Sequence, residues 1–158
     1  MKGNEVILKR QSTRIFFKNG DTDFFFNWLL GIGEIFGFSH GELYYLAQRL
    51  GNSPKPDDWK NVFLSHVNYL EQEASNSGLS EQTKAQYYLA QTYSLRSAIQ
   101  FTDPFSEEYL PTVRQMEKVF SSAIHSLGAP IEKLTIPYQG SYLPGYYLHS
   151  GDNCPTLI

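Results

Sequence analysis

The sequence predicts a mainly α protein, with about five helices followed by a β-hairpin and the start of a third strand. Three observations carry that prediction. Apolar residues recur at helical spacing in successive stretches up to Leu127, each bounded by capping residues, glycine or proline. After Pro130 the apolar period shortens from near 3.6 to 2. The composition, 41% hydrophobic and only 18% charged, is that of a chain able to bury a core. The division this implies is a helical unit over 1–128 and strands over 129–158.

Asp21-Thr22-Asp23 offers N-cap chemistry before Phe24 to Leu30, so a short buried helix is expected there, ended by Gly31, although the aromatic run also suits a strand. Leu43, Leu46, Ala47 and Leu50 then line one helical face, and Gly51 stands where a left-handed cap is wanted. Pro54 and Pro56 make the next segment a loop. Asp57 or Asp58 caps a third helix with Trp59, Val62, Phe63, His66 and Leu70 on its inner face, running out near Ser75 to Gly78. Ser80 opens a long fourth helix carrying Ala85, Tyr88, Leu89, Leu95, Ala98 and Ile99, stopped by Asp103-Pro104. A fifth begins between Ser106 and Pro111 and presents Val113, Met116, Phe120, Ala123 and Leu127 before Gly128. Leu134 and Ile136 alternate with polar neighbours in a strand, Tyr138 to Ser141 turns, and Tyr142 to His149 returns with a bulge or bend at Pro144-Gly145. Ser150 to Asn153 turns again, and Pro155 to Ile158 starts an apolar strand. An apolar strand at that point lacks a partner, so the sequence reads as part of a longer chain or as one that pairs with a second copy, a homodimer.

The charge balance excludes several functions. A net charge of -3 gives no basic face for phosphate contacts, and the one basic group, Lys9, Arg10, Arg14 and Lys18, reads as solvated surface, so no nucleic-acid partner is expected. Val6 to Leu8 is too short for a secretory apolar core, and Phe24 to Phe36 is broken by Asn27, Gly31, Gly33 and Glu34, so no membrane partner is expected either. The single Cys154 allows no internal disulfide, and cytoplasm is the expected compartment.

Gly37-Phe38-Ser39-His40-Gly41 spells G-x-S-x-G, the pattern of a nucleophile elbow. The order of elements argues against that role. An elbow follows the central strand of a parallel sheet, each strand–crossover–strand unit needs roughly 30 residues, and only 38 residues precede Ser39. Ser39 and Glu42 instead have the spacing of a capping box, in which the serine oxygen takes the Glu42 amide and the glutamate reaches back to the Ser39 amide. His40, His66, His125 and His149 show no metal-ligand spacing, and His66 on an apolar face reads as a hydrogen-bonded core histidine. Gly31-Ile32-Gly33 lacks the third glycine and the βαβ setting of a dinucleotide site. No cofactor is implied.

Ile131 to Pro137, Gly140-Ser141-Tyr142-Leu143-Pro144-Gly145-Tyr146-Tyr147 and Pro155-Thr156-Leu157-Ile158 together resemble the opening strands of α/β-hydrolases that carry a helical N-terminal domain, the pseudooxynicotine-type and fungal polyketide-shortening hydrolases among them. Gly37 to Leu50, Trp59, and Ala85 to Ala98 fall in register with that group's upstream helices, whereas Ser39 and His40 depart from its turn. The resemblance implies a cap over the sheet of a serine hydrolase acting on ester or carbon–carbon bonds of a small organic substrate. The oxyanion loop, nucleophile, acid and histidine would all follow residue 158, so the chain has no catalytic residue of its own and is expected to be inactive alone. The helical unit would wall a substrate pocket, with Tyr44, Tyr45, Tyr87, Tyr88 and Tyr93 as the expected pocket-facing side chains. The competing expectation is a helical protein-interaction scaffold without enzymatic activity, suggested by successive helical hairpins of repeat-like size. A self-contained esterase using Ser39 ranks third.

Overall fold

The computed structural model describes residues 14–149. The helices α1 (Gly20–Ile32), α2 (His40–Leu50), α3 (Pro56–Ala74), α4 (Glu81–Ala98) and α5 (Tyr109–Leu127) precede strands β1 (Ile131–Tyr138) and β2 (Ser141–Leu148), and a short 3-10 turn over Gly33–Phe36 joins α1 to α2. The mainly α fold with a terminal hairpin is therefore the one present. The expected turn from Ser150, the strand from Pro155, and Lys9, Arg10 and Cys154 lie outside the described residues.

Several boundaries differ from expectation for local reasons. The cap of α1 is Asn19, whose side chain accepts from the amides of Asp21 and Thr22. Asp23 faces back along the chain instead, taking the amides of Phe16 (2.7 Å) and Phe17 (2.9 Å) and the Asn27 side chain (3.0 Å). Gly31 does not end the helix; the chain passes through it into the 3-10 turn and breaks at Gly37, which has φ +79°. There the backbone comes so close to α4 that a Cβ on Gly37 would lie 2.6 Å from the carbonyl oxygen of Gln86. Three consecutive phenylalanines are compatible with a helix because a 100° step per residue sends them different ways. Phe26 is fully buried, Phe25 meets Phe101, and Phe24 is half exposed.

α3 starts one residue before the expected aspartates, with Pro56 in its first turn. Its fixed φ and missing N–H suit that position. Asp58 then accepts from the Lys55 amide at 2.9 Å rather than serving as the cap itself. α4 is the central helix, packing along α3 on one side and α5 on the other. It buries Ala85, Ala90, Gln91, Tyr93, Ser94, Leu95, Ser97 and Ala98, a wider set than one apolar stripe. The core is aromatic, with Trp59 at its centre. Its indole meets Phe17, Phe26, Phe63 and Phe101 with ring centroids 6.2, 6.4, 4.9 and 5.3 Å away, and its N–H donates to the Ser97 carbonyl at 2.7 Å. α5 also lies along α4, and Ala123 is the residue of its face that is fully buried.

β1 and β2 pair antiparallel from Ile131↔Leu148 to Tyr138↔Ser141. Gln139 and Gly140 both have positive φ, 47° and 77°, which makes a two-residue turn of the primed kind that matches strand twist. The expected break at Pro144-Gly145 does not occur, because the register continues through Thr135↔Pro144 and Leu134↔Gly145. In a two-stranded sheet both strands are edges, so a proline can turn its missing donor outward without breaking the ladder.

Candidate functional site

The five tyrosines do not converge. Tyr44 is half exposed and stacks on Phe16 at 6.0 Å. Tyr93 is buried and stacks on Phe36 at 4.0 Å, which raises its phenol above the ordinary range by desolvation. Tyr87 packs against the rim of the core, and Tyr88 borders an open surface depression between α4 and α5. Tyr45 alone of the five lines the cleft between α2 and α3.

That cleft has a volume of about 520 Å³. Glu42, Tyr45 and Arg49 come from successive turns of α2, at the i, i+3 and i+7 positions of one face; Ser65, His66 and Tyr69 come from α3. Hydrogen bonds run through its wall. The Ser39 hydroxyl accepts from the Glu42 amide (3.1 Å) and donates to the Glu42 carboxylate (2.8 Å), which also takes the Ser39 amide (2.8 Å). On the far side His66 Nδ1 lies 2.9 Å from the Ser94 hydroxyl, which is fully buried in α4. Between them the buried His66 Nε2 stands 3.7 Å from Glu42 Oε1, an ion-pair distance somewhat longer than a hydrogen bond.

The His66 imidazole is the largest influence on Glu42; with the Ser39 amide and hydroxyl it outweighs burial and brings the carboxyl down to about 2. A carboxylate at this position favours the imidazole tautomer with its proton on Nε2, and Ser94 then donates to Nδ1. The rings of His66 and Tyr69 lie parallel at 6.0 Å, and the Arg49 guanidinium sits 5.9 Å from the Tyr45 ring while donating to the Ser65 hydroxyl at 3.3 Å.

Ser, His and Glu thus stand in one line, but not as a nucleophilic triad. Ser94 is sealed under α3, so no substrate carbonyl reaches it. Ser39, the serine of the G-x-S-x-G pattern, bonds to Glu42 and caps α2, and the neighbouring His40 turns to Glu34 at 3.1 Å. The residues the sequence reading did not single out are Arg49, Ser65, Tyr69 and Ser94. The available signal was the spacing of Glu42, Tyr45 and Arg49 along a helix whose opposite face is apolar.

A second feature is the hairpin. Cross-strand partners share a face, so Leu134, Ile136, Tyr138, Leu143 and Tyr147 lie together on one side. Ile131, Lys133 and Tyr146 lie on the other, beside α5, where Phe120 meets Tyr146 edge to face at 5.2 Å. Ile136 and Leu143 are each 48% exposed.

No protein-family model matches the chain, and no curated protein matches it. Among the described residues no helix is long and apolar enough to cross a membrane.

Proposed function

We propose that the chain is the helical cap and opening hairpin of an α/β-hydrolase, a serine hydrolase acting on ester or carbon–carbon bonds of a small organic substrate. In this reading the helical unit shapes and shields the substrate pocket, and the nucleophile lies on further sequence. The observation that carries it is the exposed apolar surface of the hairpin. Ile136, Tyr138, Leu143 and Tyr147 expose apolar surface on one side of the hairpin and Tyr142 and Leu148 on the other, and among the described residues each strand pairs only with the other. A hairpin of this kind is marginal in water and gains stability by joining a larger sheet. The Ile-Pro, Leu-Pro-Gly-Tyr and Pro-Thr-Leu-Ile order at the hairpin and beyond supports the same reading.

The test is to read the gene past codon 158, express the complete product, and label it with a fluorophosphonate probe. Labelling of a serine in a downstream G-x-S-x-G, with Ser39 unlabelled, is the expected result. A complete product without such a serine, or labelling of Ser39, overturns the proposal. The second reading, a helical interaction scaffold without enzymatic activity, is favoured by the consecutive packing of α3, α4 and α5. A folded complete product that no probe labels, and that captures one defined peptide partner, would establish the scaffold instead.

A further inference from the structure

The two charged side chains that α2 sends to the cleft are differently situated. Glu42 is engaged on both sides: one carboxylate oxygen takes the Ser39 amide and hydroxyl, and the other faces the buried His66 ring at 3.7 Å. Arg49 has no such match. Its guanidinium carries five N–H donors, and among the described residues its one hydrogen bond goes to the Ser65 hydroxyl at 3.3 Å, while no carboxylate pairs with it. Ser65 from α3 and the Tyr45 ring 5.9 Å away nevertheless hold the group between the two helices. A cation fixed at a cleft wall with donors to spare is a receptor for an anion.

The surroundings select which anion fits. A guanidinium offers parallel N–H groups that match the two oxygens of a planar carboxylate. Beside it the walls are aromatic, with Tyr45 from α2 and Tyr69 from α3 both about half exposed, so a ring gains by lying against them. Ser65 and Tyr69 are one turn apart on α3, about 6 Å of helix axis, so a ring carried directly on a carboxylate at Arg49 reaches Tyr69. The orientation is fixed by charge. Glu42 lies seven residues before Arg49 on α2, about 10 Å of axis away, and burial together with nearby Glu73, Tyr87 and Glu42 holds the Tyr69 phenol above its ordinary value. That end of the cleft therefore turns a carboxylate away and keeps Tyr69 neutral. The volume of about 520 Å³ lies within the range of small-molecule sites. We propose that the cleft between α2 and α3 binds a small aromatic carboxylate, its two oxygens forked by Arg49 and its ring against Tyr45 and Tyr69.

The site draws only on α2 and α3, so it requires no residue of a hydrolase sheet and stands or falls apart from the hydrolase reading. His66 takes no part in holding the ligand, because its Nε2 is sealed against Glu42.

The test is a titration of the full chain with 4-fluorobenzoate, and in parallel with 4-fluorobenzamide, which has the same shape without the charge, followed by fluorine NMR. Saturable binding of the benzoate, about tenfold tighter than the benzamide, is expected for one forked ion pair at a partly exposed site. Arg49→Gln removes the guanidinium from an exposed position, so the variant should fold and bind the two probes equally. Tyr69→Leu, at a half-exposed position, should weaken both probes alike while keeping the preference for the benzoate. Equal affinity for the two probes in the unaltered chain, absence of saturable binding, a preference that survives Arg49→Gln, or benzoate affinity unchanged by Tyr69→Leu overturns the proposal.

Discussion

At the residue scale, Gly37 and Asp23 govern how the chain turns into and out of α1. Gly37 combines a left-handed φ with an approach that would put a Cβ 2.6 Å from the Gln86 carbonyl, so any side chain must both strain the backbone and push α4 away. Gly37→Ala should therefore lower the free energy of unfolding in urea by about 2 kcal/mol or more. Gly20→Ala, at a site with open space around the added carbon, should be neutral or stabilising by up to about 1 kcal/mol. In the sequence Gly37 stands out only as the first glycine of a G-x-S-x-G pattern that precedes the Ser39–Glu42 capping box. The reason for this glycine is contact with a residue 49 positions later, which no local pattern reports. Asp23 makes a prediction about pH. Burial raises its carboxyl, but the Phe17, Phe16 and Ile15 amides and Asn27 outweigh that and hold it below its ordinary value, while Glu42 falls from 4.5 to about 2. Both groups have a folded value below the unfolded one, so they contribute stability that is complete above the unfolded values and lost as pH falls through the folded ones. Urea midpoints should thus decline from pH 4.5 toward pH 2. The decline should be shallower in Asp23→Asn, whose stability at neutral pH is already reduced. An equal slope in the two proteins would show that this carboxylate is not linked to folding.

At the scale of elements, legibility followed the strength of each local signal. α2 carried a Ser39–Glu42 box, four apolar residues at regular spacing and a glycine stop, and its expected limits coincide with the observed ones. α4 was found through its Ser80 cap, but three of its eight buried residues were not, because Ser94, Ser97 and Gln91 are polar residues buried by tertiary packing. The same blindness hid the cleft. Its key pair joins Ser94 to His66 across 28 positions, and sequence spacing could identify His66 only as a core histidine, which is half of its situation. The hairpin turn was legible as a turn, although glutamine at its first position is an uncommon choice for positive φ. Asparagine tolerates that conformation better. Gln139→Asn should raise the population of paired β1 and β2, equivalent to about 0.5 kcal/mol, seen as slower amide exchange in both strands with no change in the helices. Trp59 couples α3 to α4 through the Ser97 carbonyl. Trp59→Phe loses that bond together with buried volume, so it should destabilise by about 2–4 kcal/mol, measured by the loss of cooperative thermal unfolding at the wild-type midpoint.

For the whole molecule, the distribution of buried apolar surface sets an order of stability. The continuous core runs from Phe17 to Ala98, with Phe101 packed against it, and draws on α1 to α4. α5 adds a partly covered layer, and the hairpin touches the rest through contacts such as Phe120 with Tyr146. Apolar burial stabilises by about 25 cal/mol per Å². Strands whose large side chains stay about half exposed therefore hold little of the global free energy. Local opening should follow that gradient. In native-state hydrogen exchange, amides of α3 and α4 should exchange only through global unfolding, with protection that tracks the urea-derived stability. The amides of β1 and β2 should exchange through a separate opening that hardly responds to low denaturant. If the hairpin is instead protected to the global limit in the isolated chain, its exposed face is not a surface awaiting a partner. The physical basis for assigning it to a larger sheet would then be gone. If the strands open easily, their exposed side chains remain available for the larger sheet proposed above.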